Sequence, residues 1–328
     1  MHSDLVRFVG RRLLEGVLVV LGVATLVFVL LHAAPGDPLA VLSEAPQVSP
    51  EALARMRHSF GLDRPIPEQY VLYLGRLVRG DLGMSLTQHR PVAAALAEAI
   101  PNTVLLALAA LLVDFGVGIG VGIAQAHRAG GKRDQALAVV TVVLYSTPVF
   151  VLGLLLLGVF AEGLGWFPLG GAVDPLRHNA LPFVGRVLDR LHHLVLPALT
   201  LGLAAAGYTA RHQRSALLEV LGQDFLRAAR ARGITERRLL FVHALRNALS
   251  PTITLAGLAF PVLLSGAVLV EWVFGWPGMG RLAADAIGRR DYPIVTAAAI
   301  LAAIMVVLGN LLADLAARLA DPRMRSVR

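Results

Sequence analysis

The sequence predicts an all-α membrane protein with six transmembrane helices. Of its 328 residues, 56% are hydrophobic and only 16% are charged, and the mean hydropathy of +0.67 is higher than that of ordinary soluble domains. Six apolar stretches are long enough to cross about 30 Å of hydrocarbon, which takes roughly 20 helical residues. Cysteine is absent from the sequence, so disulfides, thiolate metal sites and cysteine nucleophiles are excluded.

The first predicted span, 13–33, follows Arg7, Arg11 and Arg12 in the manner of a signal peptide. Its apolar run is long, and the following "HAAPGDP" makes a poor cleavage site, so we predict a retained membrane anchor. The other five spans are predicted at 102–126, 136–160, 195–211, 251–270 and 293–317.

Two local features predict how these helices pack. Pro148, Pro197 and Pro261 predict kinks, which persist in a bilayer when neighbouring helices or hydroxyl side chains satisfy the freed carbonyl groups. Small residues recur in "GVGIGVG" at 116–122, a pattern that lets helices approach closely. The spans are therefore predicted to form a packed bundle.

Asp114 falls near the middle of the second predicted span, where an unpaired carboxylate is costly. It should therefore face protein or a cavity. One interpretation places it on the translocation path or at a proton site. The other makes it a carboxylate that bonds to a neighbouring or partner-subunit group. The sequence leaves both interpretations open.

The distribution of basic residues predicts the orientation of the chain. The side that carries both termini holds 18 lysine and arginine residues, and the opposite side holds 12, of which 6 lie in the long segment 34–100. Segments of that length count little under the positive-inside rule, so both termini are predicted to be cytoplasmic. The predicted organisation is a tail with the first span at 1–34, an extracytoplasmic segment at 35–100, and a core with the other five spans at 101–328.

The extracytoplasmic segment contains one predicted helix. In "PEQYVLYLGRLV", apolar residues recur at helical spacing, at Val71, Leu74, Leu77 and Val78. We predict a short amphipathic helix on the outer surface.

No catalytic or nucleotide-binding motif is found in the sequence. The only lysine, Lys132, is followed by arginine where a phosphate-binding loop needs serine or threonine, and the leading glycine of that motif is replaced by Ala126. The metalloprotease and nucleophile-elbow patterns are also absent. Basic residues interrupt apolar spans and aromatic residues are scarce, which disfavours nucleic-acid binding. The chain is predicted to have no enzymatic activity, metal site or cofactor of its own.

The loop 211–250 is the most basic part of the chain. A helix is predicted from about Glu219 to Arg232, ending at Gly233, and a second helix from Thr235, a possible N-cap, to about residue 249. One side of the first helix is predicted to carry small and apolar residues, namely Leu221, Phe225, Ala228 and Ala229, together with Arg232. Such a face fits either a groove on another protein or an anionic lipid surface, and periodicity does not decide between them.

The stretch "RAARARGITERRLLFVHALRNALSPTIT" resembles the EAA loop of ABC-importer permeases. Arg227, Ala228 and Ala229 stand where that family has Glu-Ala-Ala, and Gly233 matches its glycine. The arginine departs from the family's glutamate, and in this the loop is similar to the dipeptide/oligopeptide/nickel subgroup. The same subgroup is suggested by motifs in one order along the chain: "PGDP" at 35–38, "GLDRPIPEQY" at 61–70, "GDLGMSL" at 80–86, "VEWVFGWPGMGRL" at 270–282, "RRDYPIV" at 289–295 and "DPRMR" at 321–325.

This resemblance implies a six-transmembrane-helix type I ABC importer permease in the bacterial cytoplasmic (inner) membrane, the first of two homologous permeases. Its implied partners are the second permease, two cytoplasmic ABC ATPases that use ATP and Mg²⁺, and an extracytoplasmic substrate-binding protein. The basic helix would be a cytoplasmic coupling helix that docks on an ATPase through Asp224, Phe225, Arg227, Ala228, Ala229, Arg230, Arg232 and Gly233. The implied cargo is a dipeptide, an oligopeptide or a related small solute such as a nickel chelate.

The alternative function is a gradient-driven transporter or channel that works through Asp114 without an ATPase. It predicts transport that survives ATP depletion but fails when the proton gradient collapses. This alternative does not account for the coupling-helix stretch.

Overall fold

A computed structural model describes residues 2–33, 51 and 63–320. Within these ranges the fold is helical, apart from one isolated β-bridge between Met84 and Pro91. The α-helices, numbered in chain order, are α1 His2–Ala33, α2 Ile66–Val78, α3 Val92–His127, α4 Lys132–Ser146, α5 Val149–Leu156, α6 Phe183–Leu221, α7 Asp224–Ala231, α8 Glu236–Arg238, α9 Leu245–Val273, α10 Met279–Gly288 and α11 Tyr292–Ala320. The sequence motifs at 35–38 and 321–325 lie outside the described residues.

The membrane class is confirmed by the length and apolar character of these helices. In the described ranges, four single helices can cross a membrane, and a bent pair makes a fifth candidate. They are Arg7–Ala33, Val92–His127, Phe183–Leu221 and Tyr292–Leu315, with the bent pair Lys132–Ser146 and Val149–Gly163. The remaining predicted span, 251–270, lies within α9. Each of the six predicted spans therefore coincides with helix.

The predicted span 136–160 differs from expectation because it is broken into two helices. α4 ends at Ser146, α5 begins at Val149, and the two axes differ by 106°. Pro148 cannot continue the hydrogen-bond ladder and disfavours helical backbone in the residue before it. Thr147 is accordingly extended, and its backbone N–H and its hydroxyl both donate to the carbonyl oxygen of Val143, at 3.0 and 2.7 Å. Pro197, by contrast, is accommodated inside α6.

The described chain forms two compact units. The first comprises the described residues within 1–102 and 278–307, and the second comprises those within 103–277 and 308–320. The first unit has one buried apolar cluster, formed by Val92, Leu96, Ala99, Met279, Ala286, Ile294, Ala297 and Ala298. The second unit has two clusters, one among the spans and one around α7, and the latter is described below with the site.

The predicted outer helix is present as α2 and is attached to α1 by aromatic and polar contacts. The Phe28 ring lies 5.2 Å from that of Tyr70 and 5.5 Å from that of Tyr73, measured between ring centroids. The hydroxyl groups of Thr25 and Tyr70 are 2.6 Å apart. Val71 and Val78 remain exposed, so the apolar face predicted from the sequence is only partly used within the chain.

α3 and α6 pack closely along the predicted glycine stretch. A Cβ atom at Gly118 would lie 2.7 Å from Cβ of Thr209, and one at Gly122 would lie 2.7 Å from the carbonyl oxygen of Ala210. A Cβ atom at Gly120, in contrast, would meet no atom within 4 Å. The residues in contact are four apart, which is the spacing of one helix face. The prediction of close helix approach at 116–122 is confirmed, and it is specific to one face.

We predict that Gly122→Ala lowers the free energy of unfolding by about 1–3 kcal/mol, because the added methyl group would overlap rigid backbone of α6. The matched control is Gly120→Ala, which adds the same methyl group to the open face of α3 and should be neutral or stabilising by about 0.5–1 kcal/mol. Thermal unfolding of the purified variants in detergent checks the difference. Equal melting temperatures for the two variants would contradict this packing.

Candidate functional site

The basic helix identified in the sequence is α7, and it is shorter than predicted. The prediction began it at Glu219, but α6 continues to Leu221 and the chain breaks at Gly222 and Gln223 before α7 starts. Gly222 has low helix propensity, and Gln223 is extended, with φ −77° and ψ 149°. Asp224 then occupies the first turn, where the helix dipole favours an acidic side chain. α7 is therefore a separate helix and does not continue α6.

α7 is fixed to the rest of its unit by one apolar stripe. Leu226 and Ala229, three residues apart, are its buried residues. They belong to an apolar base, a cluster that we define by its buried members Ala126, Leu217, Val220, Leu226, Ala229, Leu239, Leu240, Ala244 and Ala248. The base thus combines residues of α3, α6, α7, the segment after α8, and α9.

This packing corrects the face predicted for α7. Ala229 was assigned with Phe225 and Ala228 to the outward face, but it is 6% exposed and lies in the base. The exposed side carries Phe225 and Ala228, with the charged residues Asp224, Arg227, Arg230 and Arg232. Helical periodicity identified two faces of α7, and only the packing shows which of them is buried within the chain.

Gly233 ends α7 in a complete Schellman motif. Its N–H donates to the carbonyl oxygen of Arg230 at 3.0 Å, and the N–H of Ile234 donates to that of Ala229 at 3.4 Å. Gly233 has φ +81°, a left-handed conformation that disfavours L-residues with a side chain. Ile234 packs against the base, so the chain reverses direction and is anchored at once.

An ion pair spans this turn. The guanidinium of Arg230 donates two hydrogen bonds to the carboxylate of Glu236, through Nε to Oε1 and through Nη2 to Oε2. These hydrogen bonds lower the pKa of Glu236 and raise the pKa of Arg230. Both side chains are about half exposed, so the pair adds little stability. The pair joins the last turn of α7 to the first residue of α8 by two hydrogen bonds.

The second predicted helix runs directly into a membrane span. Thr235 occupies the predicted N-cap position, although its side chain makes no capping hydrogen bond. α8 leads into a π-helix at Leu239–Ala244, which continues as α9 through Pro251. Pro251 was expected to begin a new span, but α9 passes through it without interruption. α7 is therefore connected to α9 by one turn and continuous helical backbone.

Asp114 lies in the spans and is paired within the chain. It is 1% exposed, and the hydroxyl of Thr209 donates to its Oδ1 at 2.7 Å. This geometry corresponds to the interpretation in which the carboxylate bonds to a neighbouring residue. A place for Asp114 on the translocation path stays a prediction.

Further polar groups join helices of the same unit. Arg214 of α6 donates to both carboxylate oxygens of Asp134 in α4, at 3.0 and 2.8 Å. The hydroxyl of Thr252 in α9 donates to Oε1 of Gln213 in α6 at 2.6 Å. Across the described ranges, no group of three histidine, aspartate or glutamate side chains is arranged to hold a metal ion.

Sequence analysis missed a buried hydrogen-bond network in the first unit, which is centred on the carboxylate of Asp291. This carboxylate is fully buried and accepts hydrogen bonds from the hydroxyls of Ser85 and Thr87 and from the backbone N–H groups of Leu86 and Thr87. Burial raises its pKa, but the hydrogen bonds outweigh burial and the net pKa is below the ordinary value. Ser85 and Leu86 lie in the motif "GDLGMSL", Thr87 follows it directly, and Asp291 lies in "RRDYPIV". Membership of these two motifs was the only feature of the sequence that set these residues apart.

The described chain thus combines long membrane-spanning helices with a short helix, α7, that packs on the ends of α3, α6 and α9 and leaves its other face exposed. Residues 116–326 match the family described as "Binding-protein-dependent transport system inner membrane component", and residues 5–107 match the N-terminal component of the same systems. The chain belongs to this family. It is therefore a multi-pass permease subunit of an ABC importer, and ATP hydrolysis belongs to a separate subunit.

Relatives and solved structures agree with this membership. The chain is 40% identical to the di/tripeptide transport system permease protein DppB of Pseudomonas aeruginosa, over 98% of this chain and 99% of the relative. It is 39% identical to the oligopeptide transport system permease protein AppB of Bacillus subtilis, over 97% and 98%. The inward-facing MetNI methionine ABC transporter has the same fold, with a TM-score of 0.55, 19% identity, and coverage of 69% of this chain and 96% of that chain.

We predict that Gly233→Val abolishes uptake and leaves membrane insertion intact. A Cβ atom at this position would meet nothing within 4 Å, so the change acts first through the left-handed backbone, at a cost of about 1–2 kcal/mol. Transport assays in cells, with immunoblots of the membrane fraction, measure both properties. The control is Gly222→Ala, where φ is −79° and the nearest atom to a Cβ would be 3.4 Å away. Normal uptake by Gly233→Val would refute the requirement for this turn.

We predict that Asp291→Asn lowers stability at neutral pH by about 1–3 kcal/mol, because the amide cannot accept all the hydrogen bonds of the carboxylate. The depressed pKa of Asp291 means that its contribution is present above the unfolded value, 3.8, and is lost as pH falls through the lower folded value. The gap in melting temperature between wild type and variant, measured from about pH 7 to about pH 3, should therefore be constant above the unfolded value and should narrow as pH falls below it. A constant gap across this range would contradict the assignment.

Proposed function

We propose that this chain is the first of two homologous permeases in an ATP-driven peptide importer, with both termini in the cytoplasm. Its relatives are named for di/tripeptide, dipeptide and oligopeptide transport and match it over nearly their whole length. The motifs "GLDRPIPEQY" and "RRDYPIV" support the same subgroup. Peptides are therefore the cargo class best supported, ahead of nickel chelates.

The observation that carries the proposal is the construction of α7. Leu226 and Ala229 attach it to the base, the turn at Gly233 fixes its end, and its other face is left exposed. That face offers the Phe225 ring, 43% exposed, and the small side chain of Ala228 between charged residues. A helix that presents an apolar anchor and a small residue fits a groove on a partner protein.

The proposed partner at this face is a cytoplasmic ABC ATPase, which binds and hydrolyses ATP with Mg²⁺. Two ATPases would serve the two permeases, and a substrate-binding protein would deliver the peptide on the opposite side of the membrane. When the ATPase moves, a helix held by its buried stripe and its C-terminal turn passes the displacement to the spans as a rigid body. The displacement would pass from α7 to the longer helices through the base, because the base contains residues of α3, α6 and α9.

The test is a pair of adjacent cysteine variants in the cysteine-free chain, Ala228→Cys and Ala229→Cys. Each is combined in membranes with single cysteines along the groove of the partner ABC ATPase. We expect Ala228→Cys, on the exposed face, to form a disulfide whose yield changes with ATP. Ala229→Cys is the matched control, and it should not react because its side chain is buried in the base.

Failure of Ala228→Cys to crosslink at any groove position, with intact protein in the membrane, would contradict the docking assignment. Uptake that continues in ATP-depleted cells and stops with the proton gradient would favour the gradient-driven alternative. Peptide uptake assays with the substrate-binding protein present distinguish peptide cargo from nickel chelates.

A further inference from the structure

A cationic and aromatic cluster lies between α4 and α6, apart from the docking helix α7. The guanidinium of Arg211 lies over the ring of Tyr145, with its Cζ atom 4.6 Å from the ring centroid. The Tyr145 ring is stacked on that of Tyr208 at 6.4 Å, and the His212 ring lies 4.3 Å from that of Tyr208, measured between centroids. All four residues are exposed in this chain. We call them the aromatic-guanidinium cluster.

The guanidinium of Arg211 is directed along the span, away from the cytoplasmic end of α6. Arg214 of α6 pairs with Asp134 in the first turn of α4. Arg211, one turn earlier on α6, instead reaches Tyr145 at the other end of α4, so the two helices are antiparallel. α4 has 15 residues and is therefore about 22 Å long. In the proposed orientation α4 begins at the cytoplasmic surface, so the contact with Tyr145 lies within the membrane.

This direction argues against lipid around the cluster. An arginine that faces lipid extends its guanidinium towards the headgroups, because an ionic group is costly in hydrocarbon. Arg211 does the reverse, and it has no ion pair with any residue that the structure describes. The contact with the Tyr145 ring stabilises the cation but does not hydrogen-bond its N–H groups. Water or a polar ligand must therefore reach the guanidinium.

The break between α4 and α5 supports the same conclusion. It directly follows Tyr145: Ser146 and Pro148 are exposed, and Thr147 between them is extended. Non-helical backbone at membrane depth persists only where it is buried in protein or lines a water-filled cavity. In secondary transporters, broken spans of this kind form substrate sites. The exposed break and the adjoining cluster are therefore expected to line a water-filled cavity.

We propose that the aromatic-guanidinium cluster binds the C-terminal carboxylate of the imported peptide as it crosses the membrane. This inference rests on the proposed function and adds the part of the solute that is recognised. The Tyr145 ring covers one face of the guanidinium and leaves its planar edge free, and that edge can donate two parallel hydrogen bonds to a carboxylate. Every peptide with a free C-terminus carries this group whatever its sequence, so one site serves the whole cargo class.

The two tyrosines supply further groups for such a ligand. Neither the Tyr145 hydroxyl nor the Tyr208 hydroxyl has a hydrogen-bond partner within the described part of the chain. Both rings are about half exposed and offer apolar surface beside the cation. The cluster thus combines an oriented cation, two available hydroxyl groups and aromatic surface, which suits a small solute with a carboxylate and a short apolar body.

An acidic side chain of a second permease is the other carboxylate that Arg211 could meet. A permanent ion pair holds a guanidinium by its hydrogen-bonding edge, as Asp134 holds Arg214. Arg211 is already held within this chain by the Tyr145 ring, and its donor edge is left for a ligand that binds and leaves. This difference favours the solute, and the subunit contact is an outcome of the test.

The test compares binding of dialanine and of its C-terminal amide, dialaninamide, to the complete nucleotide-free importer in nanodiscs. Saturation-transfer NMR on the peptide methyl groups detects weak binding and needs no substrate-binding protein. The variants are Arg211→Gln, which removes the charge, and Tyr145→Leu, which removes the ring beside it. Arg128→Gln is the matched control, because Arg128 is an exposed arginine of the same unit, in the loop between α3 and α4.

We expect wild type to bind dialanine about three- to tenfold more tightly than dialaninamide. Arg211→Gln should bind both ligands equally, at the level of wild type with the amide, so the two changes should not be additive. Tyr145→Leu should keep part of the preference, because the charge remains but is no longer oriented. Arg128→Gln should match wild type. The wild-type comparison of the two ligands does not depend on the folding of any variant.

Two results would overturn the carboxylate site. One is equal binding of the two ligands by wild type, and the other is a preference for the free acid that survives in Arg211→Gln. Equal binding by wild type together with dissociation of the Arg211→Gln complex into subunits would assign the guanidinium to a partner carboxylate.

Uptake of labelled dialanine by wild type, driven by ATP in vesicles with the substrate-binding protein, separates this inference from the proposed function. If uptake occurs but the two ligands bind equally, only the role of the cluster fails. If wild type takes up no peptide, the proposed function fails, and the carboxylate site fails with it.

Discussion

The contact of Leu226 and Ala229 with the apolar base is the interaction on which the arrangement of the proposed docking helix depends. α7 has only eight residues, too few to be stable as an isolated helix in water. Its position comes from burial of those two side chains among residues of longer helices. Because the base also includes residues of α3, α6 and α9, the helix cannot shift without disturbing three long helices.

The close packing of α3 and α6 extends this rigidity into the membrane. Gly118 and Gly122 bring the two backbones close enough that a methyl group would overlap α6. Helices in lipid gain little from hydrophobic association, so such contacts depend on shape. The hydrogen bond from Thr209 to Asp114 and the pair between Arg214 and Asp134 add polar contacts between helices of the same unit. These contacts resist relative movement of α3 and α6, so we expect a displacement at the base to move the two helices together.

The sequence predicted those features that local chemistry determines. The helical positions of the six predicted spans, the helix at 66–78 and the left-handed turn at Gly233 follow from apolar run length, periodicity and glycine. The placement of Ala229 was wrong because a helix with two plausible faces gives no local signal of which one packs inward. The 106° break after α4 was expected only as a kink, since proline indicates that a helix is interrupted and does not give the angle. Asp291 was missed as a site because its partner Ser85 lies 206 residues away in sequence.

Gly233 is required for its backbone conformation, whereas the glycines of the α3–α6 contact are required for their small size. At Gly122 the absence of a side chain makes room for a neighbouring helix, so tolerance to substitution should decline with the volume of the new residue. At Gly233 a Cβ atom would meet no atom within 4 Å, so the obstacle to substitution is the sign of φ. Every L-residue with a side chain meets this obstacle, whereas asparagine, which enters left-handed backbone more readily, meets less of it. The requirement at this turn is therefore one of handedness.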